Sequence, residues 1–158
     1  MIDEAVAAVR AVHPVASVVA PGATETATTP ATAAVTIAIT VEPDTRAIAD
    51  RAALLDVLVN LIGNAAIAVA DRGRITITAV GARDLELAVS DDGPGVPPEL
   101  AVRLFQPFVT GRGRDHAHPG TGLGLATARS IAERHGGTLH HEAVAGGGAR
   151  FVLRLPGS

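Results

Sequence analysis

Between Asp44 and Asp71 the apolar residues Leu54, Leu58, Leu61, Ala65 and Val69 recur at steps of three and four, which predicts one long amphipathic helix. Such a helix must bury its stripe against another layer, and the segments around it read as strands. Val35–Val41 (VTIAITV), Arg74–Val80 (RITITAV) and Leu85–Ser90 (LELAVS) alternate apolar and polar residues, as half-buried strands do. Gly73 reads as the stop of the helix, and Gly81-Ala82-Arg83-Asp84 as the turn of a hairpin. Pro97-Pro98-Glu99 opens a short helix through Leu104, since proline is tolerated in a first turn. Leu123–Arg134 reads as a helix ended by Gly136-Gly137, followed by strands at Thr138–His141 and Ala149–Leu155. Hairpins are mixed with helices and regular βαβ alternation is lacking. The pattern predicts an α+β two-layer sandwich, a mixed sheet with helices on one face.

The 158 residues suit one compact domain. Met1–Val12 has the spacing of a short amphipathic helix, with Ile2, Val6 and Val9 on one side. Pro21–Ala34 is rich in Thr, Ala and Pro and reads as a solvated, flexible loop. The expected division is therefore 1–34, an N-terminal helix and loop, and 35–158, the domain proper. No uninterrupted apolar run approaches the ~20 residues of a membrane helix. Asp3 and Glu4, without a basic region, do not read as the start of a signal peptide. Cysteine is absent, which excludes disulfides and thiolate metal sites. A net charge of -3 gives no electrostatic reason to expect a nucleic-acid partner.

Four segments carry chemistry. Asn60 and Asn64 are one turn apart on the long helix and project from the same face. An amide oxygen there is a suitable hard ligand for Mg²⁺, which also takes phosphate oxygens and waters; two polar residues on a solvated face are the plain alternative. Asp91-Asp92-Gly93-Pro94-Gly95 follows a strand directly, so a carboxylate at the strand end can accept from an adenine amino group while the glycines let backbone approach a planar base. The same five residues would also make an ordinary turn. Gly120-Thr121-Gly122-Leu123-Gly124-Leu125 opens a helix, where exposed N–H groups and the helix dipole attract phosphate. No Walker lysine follows and the Rossmann context is missing. Leu104-Phe105-Gln106-Pro107-Phe108 places two phenylalanines as core anchors at the root of a polar loop, Thr110–Gly120, which can act as a lid over a ligand.

In order and spacing, these segments resemble the catalytic domain of bacterial sensor histidine kinases, part of an ATPase superfamily shared with type II topoisomerases, the Hsp90 chaperones and the MutL mismatch-repair proteins. NLIGNA resembles the N box, DDGPG the G1 box, LFQPF the F box and GTGLGL the G2 box, and HGGTL and GARFVLRLP resemble the ends of such domains. The resemblance covers Val35 to Pro156. It implies an ATP-binding sandwich, cytoplasmic in its setting, that transfers the γ-phosphate of ATP to a histidine on a separate dimerisation segment and thereby serves a response regulator. It also implies roles: Asn64 as the Mg²⁺ ligand with Asn60 supporting it, Asp91 on the adenine amino group, and Gly93 and Gly95 along the base. Gly120, Thr121, Gly122, Leu123 and Gly124 would lie at the phosphates, Phe105 and Phe108 at the lid, and Arg112 on the γ-phosphate.

Three departures stand out. Ile67 and Ala68 occupy places where many relatives have Lys and Tyr, so phosphate contacts must come more from the lid. Ala149 stands where a Thr often helps bind adenine through water. No histidine box is present: His13 is followed at once by Pro14, which disfavours helix at the preceding residue. His116 and His118 fall in the lid, and His135, His140 and His141 read as surface residues. Within the superfamily, ATP hydrolysis uses a Glu on the N-box helix as general base. The matching place holds Asn60, which cannot take a proton. An anti-sigma factor serine kinase and a non-catalytic ATP-binding module share the implied fold and remain as alternatives.

Overall fold

A computed structural model describes residues 7, 15–19, 35–42, 49–81, 83–109 and 121–157, with the backbone alone at 15–19. Six strands form one sheet: β1 (Val15–Val19), β2 (Val35–Val41), β3 (Gly73–Val80), β4 (Leu85–Asp91), β5 (Thr138–Ala143) and β6 (Ala149–Leu155), in the order β1-β2-β3-β4-β6-β5. Strands β1, β2 and β3 run parallel, and β4, β6 and β5 pair antiparallel, so the sheet is mixed as the pattern predicts. The helices are α1 (Arg51–Val69), α2 (Pro98–Ala101) and α3 (Gly124–Arg134).

Alternation decides which sheet face is covered. Ile37, Ile75, Ile77, Leu87, Val89, Phe151 and Leu153 point to one side and are buried against the helices. On α1, Leu58, Leu61 and Ile62 are fully buried under that face, each side chain contributing about 1.5–3 kcal/mol when removed from water. By length and composition α1 could cross a membrane. Here it is the core helix, with nine of its residues buried in the sandwich. The opposite sheet face is mostly polar, although Ala88 and Val152 on it are also buried. Arg154 pairs there with Glu86 at 3.0 Å, and Arg150 bridges Glu86 and Glu142 at 3.5 and 3.1 Å.

Three local features differ from the sequence reading. Strand β1 is not anticipated; its VASVV is a short apolar run between Pro14 and Pro21. Helix α1 begins at Arg51, after Ala49 and Asp50, because the Asp50 side chain caps it by accepting from the Ala52 N–H at 3.1 Å. It ends at Ala70, whose φ of 52° lies in the left-handed region. Gly73 is not the stop but the first residue of β3. A Cβ there would lie 2.5 Å from Asp92 Oδ1 and 2.7 Å from Val69 Cβ, so close packing, not helix termination, requires the glycine. The expected 1–12 helix, apart from Ala7, and the 21–34 and 110–120 loops fall outside the described residues.

Candidate functional site

The C-terminal end of β4 delivers Asp91 to the covered side of the sheet, where it is 7% exposed and the only buried charged group among the described residues. Its Oδ1 accepts from Gly93 N–H at 3.0 Å. Burial pushes its pKa up, opposed by the Gly93 and Ala149 N–H groups, which stabilise the carboxylate. Asp92 serves the scaffold instead. Its Oδ1 accepts from Arg74 N–H at 2.8 Å and its own N–H donates to Arg74 O, which closes the end of the β3–β4 pair. Asp91 thus turns to the covered side of the sheet, while Asp92, the exposed residue after the strand, binds the backbone of β3.

The glycines mark where backbones meet. A Cβ on Gly93 would stand 2.9 Å from Ala68 O and from Asp91 Oδ1, so the turn after β4 lies directly against the last turn of α1. Gly95, at φ 77°, packs on Gly148 O at the start of β6. A Cβ on Gly124 would meet Asn60 Oδ1 at 2.5 Å, which puts the N-terminus of α3 against the middle of α1. The structure therefore places Gly93, with Asp91, at the last turn of α1 and Gly124 at Asn60 in its middle, while Gly95 packs on Gly148.

The two asparagines differ. Asn60 Nδ2 donates to Asp56 O at 2.9 Å, which orients its carbonyl toward Gly124. The half-buried Asn64 amide, one turn on, makes no hydrogen bond among the described residues. A free amide oxygen without companion carboxylates fits Mg²⁺ held mainly by phosphate and water. No cluster of His, Cys, Asp and Glu among the described residues could hold a metal by itself.

Phe108 and Gly122, on either side of residues 109–121, are joined to each other. Phe108 N–H donates to Gly122 O at 2.9 Å, and Gly122, at φ 67°, leaves no room for a Cβ beside Phe108. Phe105 is a core anchor as expected: its ring meets Phe151 edge-on at 6.4 Å, and the Arg129 guanidinium lies 5.3 Å from its centroid. Phe108 is not. It is 75% exposed with φ 65°, because its backbone turns to reach Gly122. Thr121 Oγ accepts from Leu123 N–H at 3.4 Å and supports the start of α3. Arg112, Gly120, His116, His118 and His13 lie outside the described residues.

Two histidines are not surface residues in the expected sense. His135 Nδ1 lies 2.8 Å from Ile131 O and its Nε2 accepts from Asp50 N–H at 3.3 Å, so the ring ties the end of α3 to the start of α1. His141 sits on the covered sheet face with its ring 5.4 Å from Phe151. No sequence signal marked it, because the β5 pattern does not say which of His140 and His141 faces inward.

A mixed sheet with helices on one face, a buried acid at a strand end and a glycine-opened helix against an asparagine define a nucleotide-binding sandwich. Residues 49–158 match the family described as histidine kinase-, DNA gyrase B- and HSP90-like ATPases. The chain belongs to that family and carries its ATP-binding catalytic domain, of the histidine kinase type. Histidine protein kinase DivJ of Caulobacter vibrioides is 39% identical over 109 residues, 68% of this chain and 18% of that protein. Sensor protein FixL of Bradyrhizobium diazoefficiens is 41% identical over 113 residues, 69% of this chain and 21% of its own length. The chain thus spans about a fifth of each of these relatives. Among solved structures, the catalytic domain of histidine kinase ThkA superposes with TM-score 0.68 at 33% identity, covering 78% of this chain and 79% of that one. The mycobacterial sensor histidine kinase MprB gives 0.74 at 26% identity, covering 99% and 93%.

Proposed function

We propose that this chain is the catalytic part of a two-component sensor histidine kinase, passing the γ-phosphate of ATP to a histidine on a separate dimerisation segment. The observation that carries this reading is the placement of Asn60. The α1 side chain that faces the opening of α3 is an amide, which cannot deprotonate water, so the site suits a nucleophile that needs no such help. An imidazole nitrogen is one. It attacks the γ-phosphorus in line while the bond to the β–γ bridging oxygen breaks and ADP leaves.

In this reading Asp91 accepts from the adenine amino group, and Gly93 and Gly95 allow the base to lie against backbone. Asn64, supported by Asn60, would hold Mg²⁺, which neutralises phosphate charge when bound. Gly120, Thr121, Gly122, Leu123 and Gly124 present N–H groups to the phosphates, and Arg112 reaches the γ-phosphate from the lid. Phe105 fixes the base of that lid. Val102 and Phe108, 80% and 75% exposed beside it, leave apolar surface where a histidine-bearing hairpin could dock. We place the domain in the cytoplasm, with a response regulator served indirectly and no nucleic-acid partner.

The test uses γ-labelled ATP. ATP with Mg²⁺ should raise the melting temperature by mass action. The chain alone should stay unlabelled, because Pro14 disfavours a helix at His13, and should label a separately supplied hairpin from its own kinase with acid-labile phosphate. No thermal shift at millimolar nucleotide would defeat the nucleotide site. Acid-stable label on a serine of an added partner would replace the reading with a serine kinase of the same fold.

A further inference from the structure

None of the roles assigned so far uses His141, yet its position is unusual for a histidine. It lies on β5 opposite Phe151 of β6, on the face that carries Asp91. In register, Ala149 of β6 sits between Asp91 of β4 and Ala143 of β5. Ala149 is thus the diagonal neighbour of His141, within reach of a long side chain on the same face. The two residues beyond Asp91 in that row, toward β5, are alanines, so neither β6 nor β5 places a side chain larger than a methyl group there.

The ring is held by Phe151 on one side, at 5.4 Å. Its Nε2 is buried and has no hydrogen-bond partner. A buried polar nitrogen without a partner is costly unless something completes it. Burial lowers the pKa of the His141 ring, while the Asp91 and Glu142 carboxylates favour its charged form. Ala149 has no hydroxyl to order the polar edge of the base pocket, and His141 is the side chain that can supply one polar group there.

Resting on the reading of Asp91 as the adenine acceptor, we propose that His141 is a positioning residue of the base pocket, acting through Asp91: a water held by its unpartnered Nε2 over Ala149 orders the Asp91 carboxylate for the adenine amino group. The inward histidine and the alanine at 149 then form one arrangement, in which a ring nitrogen on β5 does the ordering that a hydroxyl on β6 would otherwise do.

The experiment compares wild type, His141→Leu, His141→Gln and His141→Asn in the full chain, by calorimetry with ATP and with the purine riboside triphosphate that lacks the amino group. Gln places an amide nitrogen about where Nε2 lies, whereas Asn reaches only as far as Nδ1. We expect His141→Leu and His141→Asn to bind ATP about threefold to tenfold more weakly, His141→Gln to stay within about twofold of wild type, and all four to bind the purine analogue alike. Melting without nucleotide checks folding, and should Leu fail to fold, the Gln and Asn pair decides alone. Unchanged ATP affinity in the Leu and Asn variants would overturn the proposal, as would equal losses for both nucleotides or Gln behaving like Asn. Wild type binding the two triphosphates equally would instead overturn the role of Asp91, and with it this one.

Discussion

The two ends of the site are built differently. At the base end, Asp91 is buried, receives the Gly93 N–H and stands between paired strands, with Gly93 and Gly95 packed backbone to backbone. At the end proposed for the phosphates, the Asn64 amide makes no hydrogen bond among the described residues, and α3 begins without a side-chain cap. The base end therefore exists before any ligand arrives. The phosphate end presents groups whose partners the ligand itself supplies. On the proposed roles, recognition of the base would depend on preorganisation, and handling of the phosphates on completion by nucleotide and cation.

The largest effect that sharpens this contrast is expected at Asp91. Asp91→Ala should weaken ATP by about tenfold to a hundredfold, since a hydrogen bond to a buried charge is lost, while leaving the fold intact; calorimetry and melting of the same sample measure both. An unchanged affinity would mean that the base lies elsewhere. At the other end, Asn64→Ala should cost roughly tenfold in the presence of Mg²⁺ and almost nothing in its absence, as for the loss of one metal ligand. Titrations with and without chelator read this directly, and equal losses in both would make Asn64 a contact to nucleotide rather than to the cation. Arg112→Ala should weaken ATP by about threefold to tenfold and ADP hardly at all, because only ATP carries the γ-phosphate. Comparable losses for both would remove Arg112 from that role.

The smallest effect concerns stability. Burial raises the Asp91 pKa above 3.8, so its ionised form disfavours the folded state at neutral pH. Below the unfolded value the carboxyl is protonated in both states and this penalty is absent; it grows as pH rises through the folded value. Asp91→Asn should accordingly raise the melting temperature of the nucleotide-free protein at pH 7, with the gain fading toward pH 3. A gain independent of pH, or a loss at pH 7, would show that the Gly93 and Ala149 hydrogen bonds outweigh burial. The base end would then be stable through its acid rather than despite it.

Much of this arrangement is legible in the sequence, for identifiable reasons. The N, G1 and G2 segments are short runs in which every residue type has a local cause, so Asn60, Asp91 and Gly124 can be named before any fold is drawn. Periodicity finds α1 and five of the six strands because each has one wetter and one drier face. It misses β1, whose VASVV has no long alternation. It misplaces the helix stop, since Ala70 adopts a conformation usually left to glycine while Gly73 is small for packing reasons. It gives both phenylalanines to the core, though only Phe105 belongs there, because exposure of Phe108 follows from a backbone turn toward Gly122. His141 is beyond its reach, because its neighbours Phe151 and Asp91 come from other strands.

The hydrogen bond from Phe108 to Gly122 has a consequence for how such a domain can vary. It fixes both ends of the lid on the scaffold, whatever the chain between them contains. Lengthening a connection whose ends are already held adds little closure entropy, about 0.6 kcal/mol for each doubling. Insertions and deletions between residues 109 and 121 can therefore accumulate without disturbing Asp91 or Asn64. On the proposed role of Arg112, such changes would act on the contact with the γ-phosphate and leave the scaffold as it is.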